Sequence, residues 1–194
     1  MLSHGLLADA SFHRALLAID VELAAETKAK GCVCGGKLHV ANYPRDPRGL
    51  PDDLKWGKRF SFCCAREDCR RRATPTSVRF LDRRVYTGVA VVLAAVLAQG
   101  VSGPRLRMLR GRIRVKRRTL ERWRRWWREI MPRTDFWSQL RGRFDRPVEE
   151  AELPASLLAR IGGTDEADRL QRLLNLLRPL SHSELMRQRF TRAA

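Results

Sequence analysis

A mainly α-helical chain with one small β ribbon is the fold class that the sequence predicts, and three observations predict it. All five cysteines fall within 38 residues, from Cys32 to Cys69, among glycines, prolines and aspartates. From Arg83 onward apolar residues recur at three- and four-residue intervals, the period of a helix face. The stretch RVKRRTLERWRRWWRE (114–129) gathers three tryptophans and eight basic residues that sort onto opposite sides of a helix. These patterns divide the 194 residues into an N-terminal helix over 1–30, a cysteine-bearing ribbon over 31–80, a helical unit over 81–132 and a helical C-terminal tail over 133–194.

The first helix is read over 8–30. Leu16, Ile19, Leu23 and, near its start, Phe12 recur on one side, and Gly31 stops it. Strands are expected at KLHVANY and KRFSFCC, joined by the turn-rich PRDPRGLPDD. A helix over 83–99 follows, ended by Gly100. Its centre, VAVVLAAVLA, is too short to cross a bilayer at about 1.5 Å per residue, so it reads as a buried core helix. Pro104 suits the first position of a short helix reaching Arg110. A turn over 111–116 leads into the tryptophan-rich helix, which Pro132 stops. Three more helices are read around 134–142, 154–161 and 166–177, with DRPVEEAELP as the internal linker.

Cys32-Val-Cys34-Gly-Gly and CCAREDC make two cysteine-bearing turns. Two such turns on neighbouring hairpins supply the four thiolates of a tetrahedral zinc site, and glycines just after Cys34 let the chain turn tightly around it. Cys34, Cys69 and Cys32 take three places. The fourth lies between Cys64 and Cys63, with Cys64 favoured because a strand sets it on the face of Phe60 and Phe62; His39 is a possible substitute. Four thiolates leave no open position, so the expected role of Zn2+ is structural, and the ribbon is read as a zinc ribbon.

At 100° per residue Leu120, Trp123, Trp127 and Ile130 share one face of the basic helix, with Trp126 beside them. Arg118, Glu121, Arg122, Arg125 and Arg128 share the other. With the short helix before it and the core helix as third member, this is a helix-turn-helix candidate. Arg117, Arg118, Glu121, Arg122 and Arg125 are then placed to reach bases, arginine to guanine and glutamate to cytosine. Arg105, Arg107, Arg110, Arg112, Arg114 and Lys116 are placed for phosphates. The competing readings are a membrane-surface helix and a plain core helix with a solvated basic face.

Lys and Arg total 39 against 21 Asp and Glu, a net charge of +18. Residues 105–128 alone hold twelve basic residues and one acid. Such a balance favours a polyanionic partner, nucleic acid first and anionic membrane second, and with the helix-turn-helix candidate the expected partner is double-stranded DNA and no membrane. The N-terminal stretch has no basic start, apolar core and cleavage site of a signal peptide, so a cytoplasmic, nucleoid-associated protein is expected. In that compartment clustered cysteines favour metal over disulfides.

The run CxCGGKLH…RFSFCCAREDCRRRATPTS…RRVY, followed by a helix-turn-helix, resembles the N-terminal DNA-binding part of bacterial insertion-sequence transposases, or a transposon-encoded accessory protein. The resemblance covers about half the chain, and its most distinctive segment is CRRRATPTS. It implies that Cys32, Cys34, Cys64 and Cys69 hold zinc and that Arg70, Arg71 and Arg72 lie close to DNA. The single residue between Cys32 and Cys34 departs from the pattern, which has two.

Those transposases also carry three separated acids on an α/β domain holding two metal ions. After Ile130 only 64 residues remain, read as helices, and their acids bunch at 149–152 and 165–168. No nucleophile–base pair or phosphate-binding glycine loop is visible. The expectation is a non-enzymatic accessory or regulatory subunit of a mobile element, working with a separate transposase or a second copy of itself. A transcriptional regulator and a divergent recombinase fragment are the alternatives.

Overall fold

The computed structural model describes residues 4–45, 57–81, 87–97 and 116–181, and within them the chain is mainly helical with a small antiparallel β part. The short helix expected at 104–110, the turn at 111–115 and five of the phosphate candidates, Arg105, Arg107, Arg110, Arg112 and Arg114, lie outside the described residues. The chain forms two compact units, one of Ala8–Gly88 with Leu174–Ala194, the other of Met1–Leu7 with Val89–Leu173.

In the first unit, helix α1 (Ala10–Lys30) begins where Asp9 accepts hydrogen bonds from the amides of Ser11 (2.8 Å) and Phe12 (3.3 Å). It ends at Gly31, whose φ of +73° is a conformation glycine adopts freely. Its buried stripe is Phe12, His13, Leu16, Asp20, Leu23 and Ala24, while Ile19 is only half-buried. Phe12, Leu16 and Leu23 thus lie on the buried stripe as expected, while Asp20 in place of Ile19 takes its centre.

That carboxylate is fully satisfied. Asp20 Oδ1 accepts from the Val78 amide at 2.9 Å, and Oδ2 accepts from Ser77 Oγ at 2.6 Å and Arg79 Nε at 2.7 Å. Ser77 Oγ in turn accepts from the amides of Arg79 and Phe80, and the Ser77 amide donates to Ser181 Oγ. Three arginines, Arg45, Arg59 and Arg79, lie within 5.0–5.8 Å of the Phe80 ring. The end of the TPTS segment is therefore an internal buckle that fastens the ribbon's exit to α1.

The ribbon holds five strands. β1 (Leu38–Val40) pairs with β4 (Phe62–Cys64), which pairs with β5 (Arg72–Ala73); β2 (Tyr43–Pro44) pairs with β3 (Lys58–Arg59) in a separate two-stranded sheet. Each of the two strands expected from sequence is thus broken in two. The break comes where Asn42 Oδ1 accepts the Ser61 amide at 3.0 Å, a side chain replacing a rung of backbone. β5, formed by the basic run itself, has no counterpart in the sequence reading.

The second unit starts with α2 (Gly88–Leu97), in which Val89–Ala95 are all 1% exposed or less. The expectation of a buried core helix holds. Helix α3 (Arg117–Arg125) continues into one π turn, Trp126–Ile130, and then a 3-10 turn, Met131–Arg133. A π turn is wider than an α turn, so each residue advances by a smaller angle. That moves the apolar stripe by one residue. Leu120, Trp123, Trp126, Trp127 and Met131 are buried, and Ile130, expected on the stripe, is half-buried.

Thr134 caps α4 (Asp135–Arg141): its Oγ1 accepts from the Trp137 amide at 2.9 Å and donates to the Met131 carbonyl at 2.7 Å. Helix α5 (Ala155–Arg160) follows, then α6 (Glu166–Leu177). At the start of α6, Asp165 accepts the Asp168 amide and Asp168 accepts the Thr164 amide, so the acids there are helix-start bonds, as the sequence suggested. Leu170, Leu173, Leu174 and Leu177 are fully buried within the chain and Leu176 half-buried.

Candidate metal centre and nucleic-acid interface

Cys32 and Cys34 flank the first turn, shaped by Gly31 and Gly35, both with positive φ. The Cys32 amide donates to the Gly36 carbonyl and the Gly35 amide to the Cys32 carbonyl, closing that turn. Cys64 ends β4. Cys69 closes the second turn, whose amide bonds the Arg66 carbonyl at 3.1 Å. Arg70, leaving that turn, takes a φ of +42°.

These turns bring the Sγ atoms of Cys32, Cys34, Cys64 and Cys69 within 4.8 Å of one another, a group able to hold a metal ion. Bonds of about 2.3 Å to a tetrahedral zinc imply sulfur–sulfur edges of about 3.8 Å. The Cys32–Cys69 and Cys34–Cys64 separations, 3.7 and 3.5 Å, are close to that edge, and the others lie within 4.8 Å, so the donor set is compatible with such an ion. Around it packs a small core of Ala24, Leu38, Phe60, Phe62 and Ala73.

Each turn also aims amides at sulfur. The Gly36, Arg66 and Arg71 amides donate to Cys34, Cys64 and Cys69, each from two residues downstream. The Gly36 amide, helped by the Cys69 thiol, brings Cys34 down to about 7. The Arg66 amide pulls Cys64 down, but burial and the neighbouring sulfurs outweigh it and push that thiol up to about 12. Cys69 is also raised: the Arg71 amide lowers it, while the Cys34 sulfur, burial and Cys32 raise it. A cation among the four sulfurs would favour their thiolate forms.

Arg66, which the sequence reading passed over, sits at this centre. It donates to the Cys34 carbonyl at 3.4 Å and is held by Asp68 at 2.8 Å. Gly36 is the second omission. A Cβ there would lie 2.6 Å from Cys64 Sγ. We expect Gly36→Ala to weaken zinc binding by about 10- to 100-fold, the usual cost of disturbing a ligand's outer support. Competition with a chelating dye measures it, and an unchanged affinity would show that the approach is not tight.

The other two candidate ligands fall outside the group. Strand register pairs His39 with Cys63, and Leu38 with Cys64. His39 is exposed, and the Cys63 thiol donates to the Arg70 carbonyl at 3.4 Å. Between Cys64 and Cys63, the geometry selects Cys64.

On α3, Lys116, Arg117, Arg118, Glu121, Arg122, Arg125 and Arg128 are exposed and opposite the buried tryptophans. Arg117 is bonded to Glu121 at 2.7 Å and Arg125 to Glu129 at 2.8 Å. Glu121, expected as a reader of cytosine, thus already has an arginine on its carboxylate. Among the described residues Arg118, Arg122 and Arg128 make no ion pair. Arg70, Arg71 and Arg72 are exposed beside the metal centre, with Arg70 bonded to Glu67 at 3.4 Å. No helix among the described residues is long and apolar enough to cross a membrane. In comparisons with known proteins, no family model, curated protein or solved structure matches the chain.

Proposed function

We propose that this chain is a zinc-stabilised, non-enzymatic DNA-binding protein that presents α3 as the recognition helix of a helix-turn-helix. The observation that carries this reading is the outer face of α3. Arg118 and Arg122, one helical turn apart, are exposed and outside any ion pair among the described residues, on a helix whose opposite face is anchored by three buried tryptophans. An arginine already spent on a glutamate must break that bond to reach a base; these two need not. The surrounding charge, twelve basic residues against one acid over 105–128, supports a phosphate-binding flank. In this reading zinc binds Cys32, Cys34, Cys64 and Cys69 as a structural clamp.

The setting we favour is a mobile genetic element, with the chain as accessory or regulatory subunit beside a separate transposase or a second copy of itself. The support is the resemblance of the cysteine turns and the CRRRATPTS run. Because Thr74–Arg79 also has an internal fastening role, the weight of that resemblance falls on Arg70–Arg72.

Titration of a labelled duplex with the zinc-loaded chain tests the proposal. Replacing Arg118 and Arg122 by Ala together should weaken binding at least tenfold, at about 1–3 kcal/mol for each good base contact. Unchanged binding at physiological salt would remove α3 from the interface. Preference for the ends of a mobile element over the chain's own promoter favours the transposition setting, and the reverse favours a transcriptional regulator.

A further inference from the structure

The metal centre leaves two of its candidate residues unused, and strand register puts them together. His39 on β1 lies opposite Cys63 on β4, and Cys63 lies opposite Arg72 on β5. Since alternate residues of a strand face opposite ways, this row occupies the side of the sheet away from Leu38, Phe62 and Cys64, which are buried with the sulfurs. His39 and Arg72 are exposed and Cys63 is half-buried between them. The Arg72 guanidinium is laid over the Tyr43 ring, 5.6 Å from its centroid. Stacking holds a guanidinium flat with its N–H groups directed outward, so less freedom is lost when an anion arrives.

The acids nearby are occupied. Asp68 is bonded to Arg66 and Glu67 to Arg70. The ribbon also exposes Lys37, two residues before His39, and Lys58, Arg70 and Arg71, so its surface carries an excess of positive charge. It carries a stacked arginine, an imidazole and a partly exposed phenol ring, the mixture that nucleic-acid surfaces use for phosphate and sugar contacts.

We propose that this outer sheet face, with Arg72 and His39 as its contacts and Tyr43 as the support that orients Arg72, is a second nucleic-acid backbone surface, separate from α3. The proposal rests on the DNA-binding reading above. It assigns the ribbon a role in affinity, without base recognition, and singles out Arg72 over Arg70, which is engaged with Glu67.

Cys63 is the built-in reporter of this face, since the other four thiols are those that hold zinc. In the zinc-loaded full chain, a saturating 20-base-pair duplex is expected to slow alkylation of Cys63 by N-ethylmaleimide at least fivefold, read by mass spectrometry. An undiminished rate would overturn the proposal. Where Cys63 proves too shielded to react without DNA, Arg72→Gln decides: it should lower the salt slope of binding by about 0.9, the signature of one lost phosphate contact. An unchanged slope would overturn the proposal. Tyr43→Leu should produce part of the Arg72→Gln loss on its own and almost none in the Arg72→Gln background. Zinc content is measured on every variant, so that a damaged ribbon is recognised. If the wild-type chain binds no duplex, the DNA-binding reading itself fails; if it binds and only α3 variants weaken it, this face alone is refuted.

Discussion

Purified without chelators, the protein is expected to carry one zinc per chain, and Cys64→Ser to carry none. Removing one of four thiolates opens the tetrahedron, breaks the Cys34–Cys64 pair and leaves three sulfurs, Cys32 and Cys69 3.7 Å apart among them, without the charge that would hold them together. The effect should be large because the sulfurs are also the core. Beyond Cys32, Cys34, Cys64 and Cys69, the ribbon packs only a few apolar side chains, among them Ala24, Leu38 and Phe62. A core so small does not hold short strands together by itself. Structural zinc supplies about 10–16 kcal/mol in comparable small units, so its loss should abolish the ribbon's ordered state. Elemental analysis with amide hydrogen exchange over 32–73 measures both consequences. Cys63→Ser is the matched control and should retain full zinc. If Cys63→Ser loses the metal and Cys64→Ser keeps it, the ligand set is wrong.

Asp20→Ala should cost about 3–5 kcal/mol of stability, the usual penalty for breaking a buried ion pair by removing one partner. Arg79, 8% exposed, would lose the Asp20 carboxylate beside Phe60 and Phe80, with Lys58's carbonyl still in reach. The Ser77 hydroxyl and Val78 amide would lose their acceptor too. Denaturant titration at constant zinc measures the loss. Adding Arg79→Met should recover part of it, because an apolar side chain of similar length removes a buried charge that has lost the Asp20 carboxylate. It should not recover all, because the two hydrogen bonds stay broken. A loss below about 1 kcal/mol for Asp20→Ala would mean that water serves the buckle as well as the carboxylate does.

Much of this was legible in the sequence where a local rule was in force. Clustered cysteines beside glycines marked the candidate metal turns, and alternation along β4 favours Cys64 over Cys63. Helical periodicity found α1, the buried α2, the tryptophan face of α3 and the leucines of α6. The misses share a different cause: they depend on partners far along the chain. Asp20 reads as a surface residue on an amphipathic helix, since its partners lie 57–59 residues away. β5, Arg72–Ala73 at the end of the basic run, has strand character only through its pairing with β4. The π turn after Arg125 has no composition signal, and it decides that Met131, not Ile130, enters the core. Gly36 announced flexibility, but the reason it must lack a side chain is the sulfur of Cys64, 28 positions on.

The Asp20 buckle has a further consequence for the order in which the chain assembles. Closing it directly means bringing together residues 57 positions apart, a loop whose closure must be paid for in chain entropy before any bond is made. A metal ion that joins Cys32 to Cys69 removes the intervening segment from that loop. The path from Asp20 to Ser77 then runs through only roughly 20 residues, which lowers the closure cost by about 0.9 kcal/mol. Zinc and the buckle need not touch to cooperate. Chain connectivity couples them, so that the loaded ribbon reaches its helix faster than the empty one.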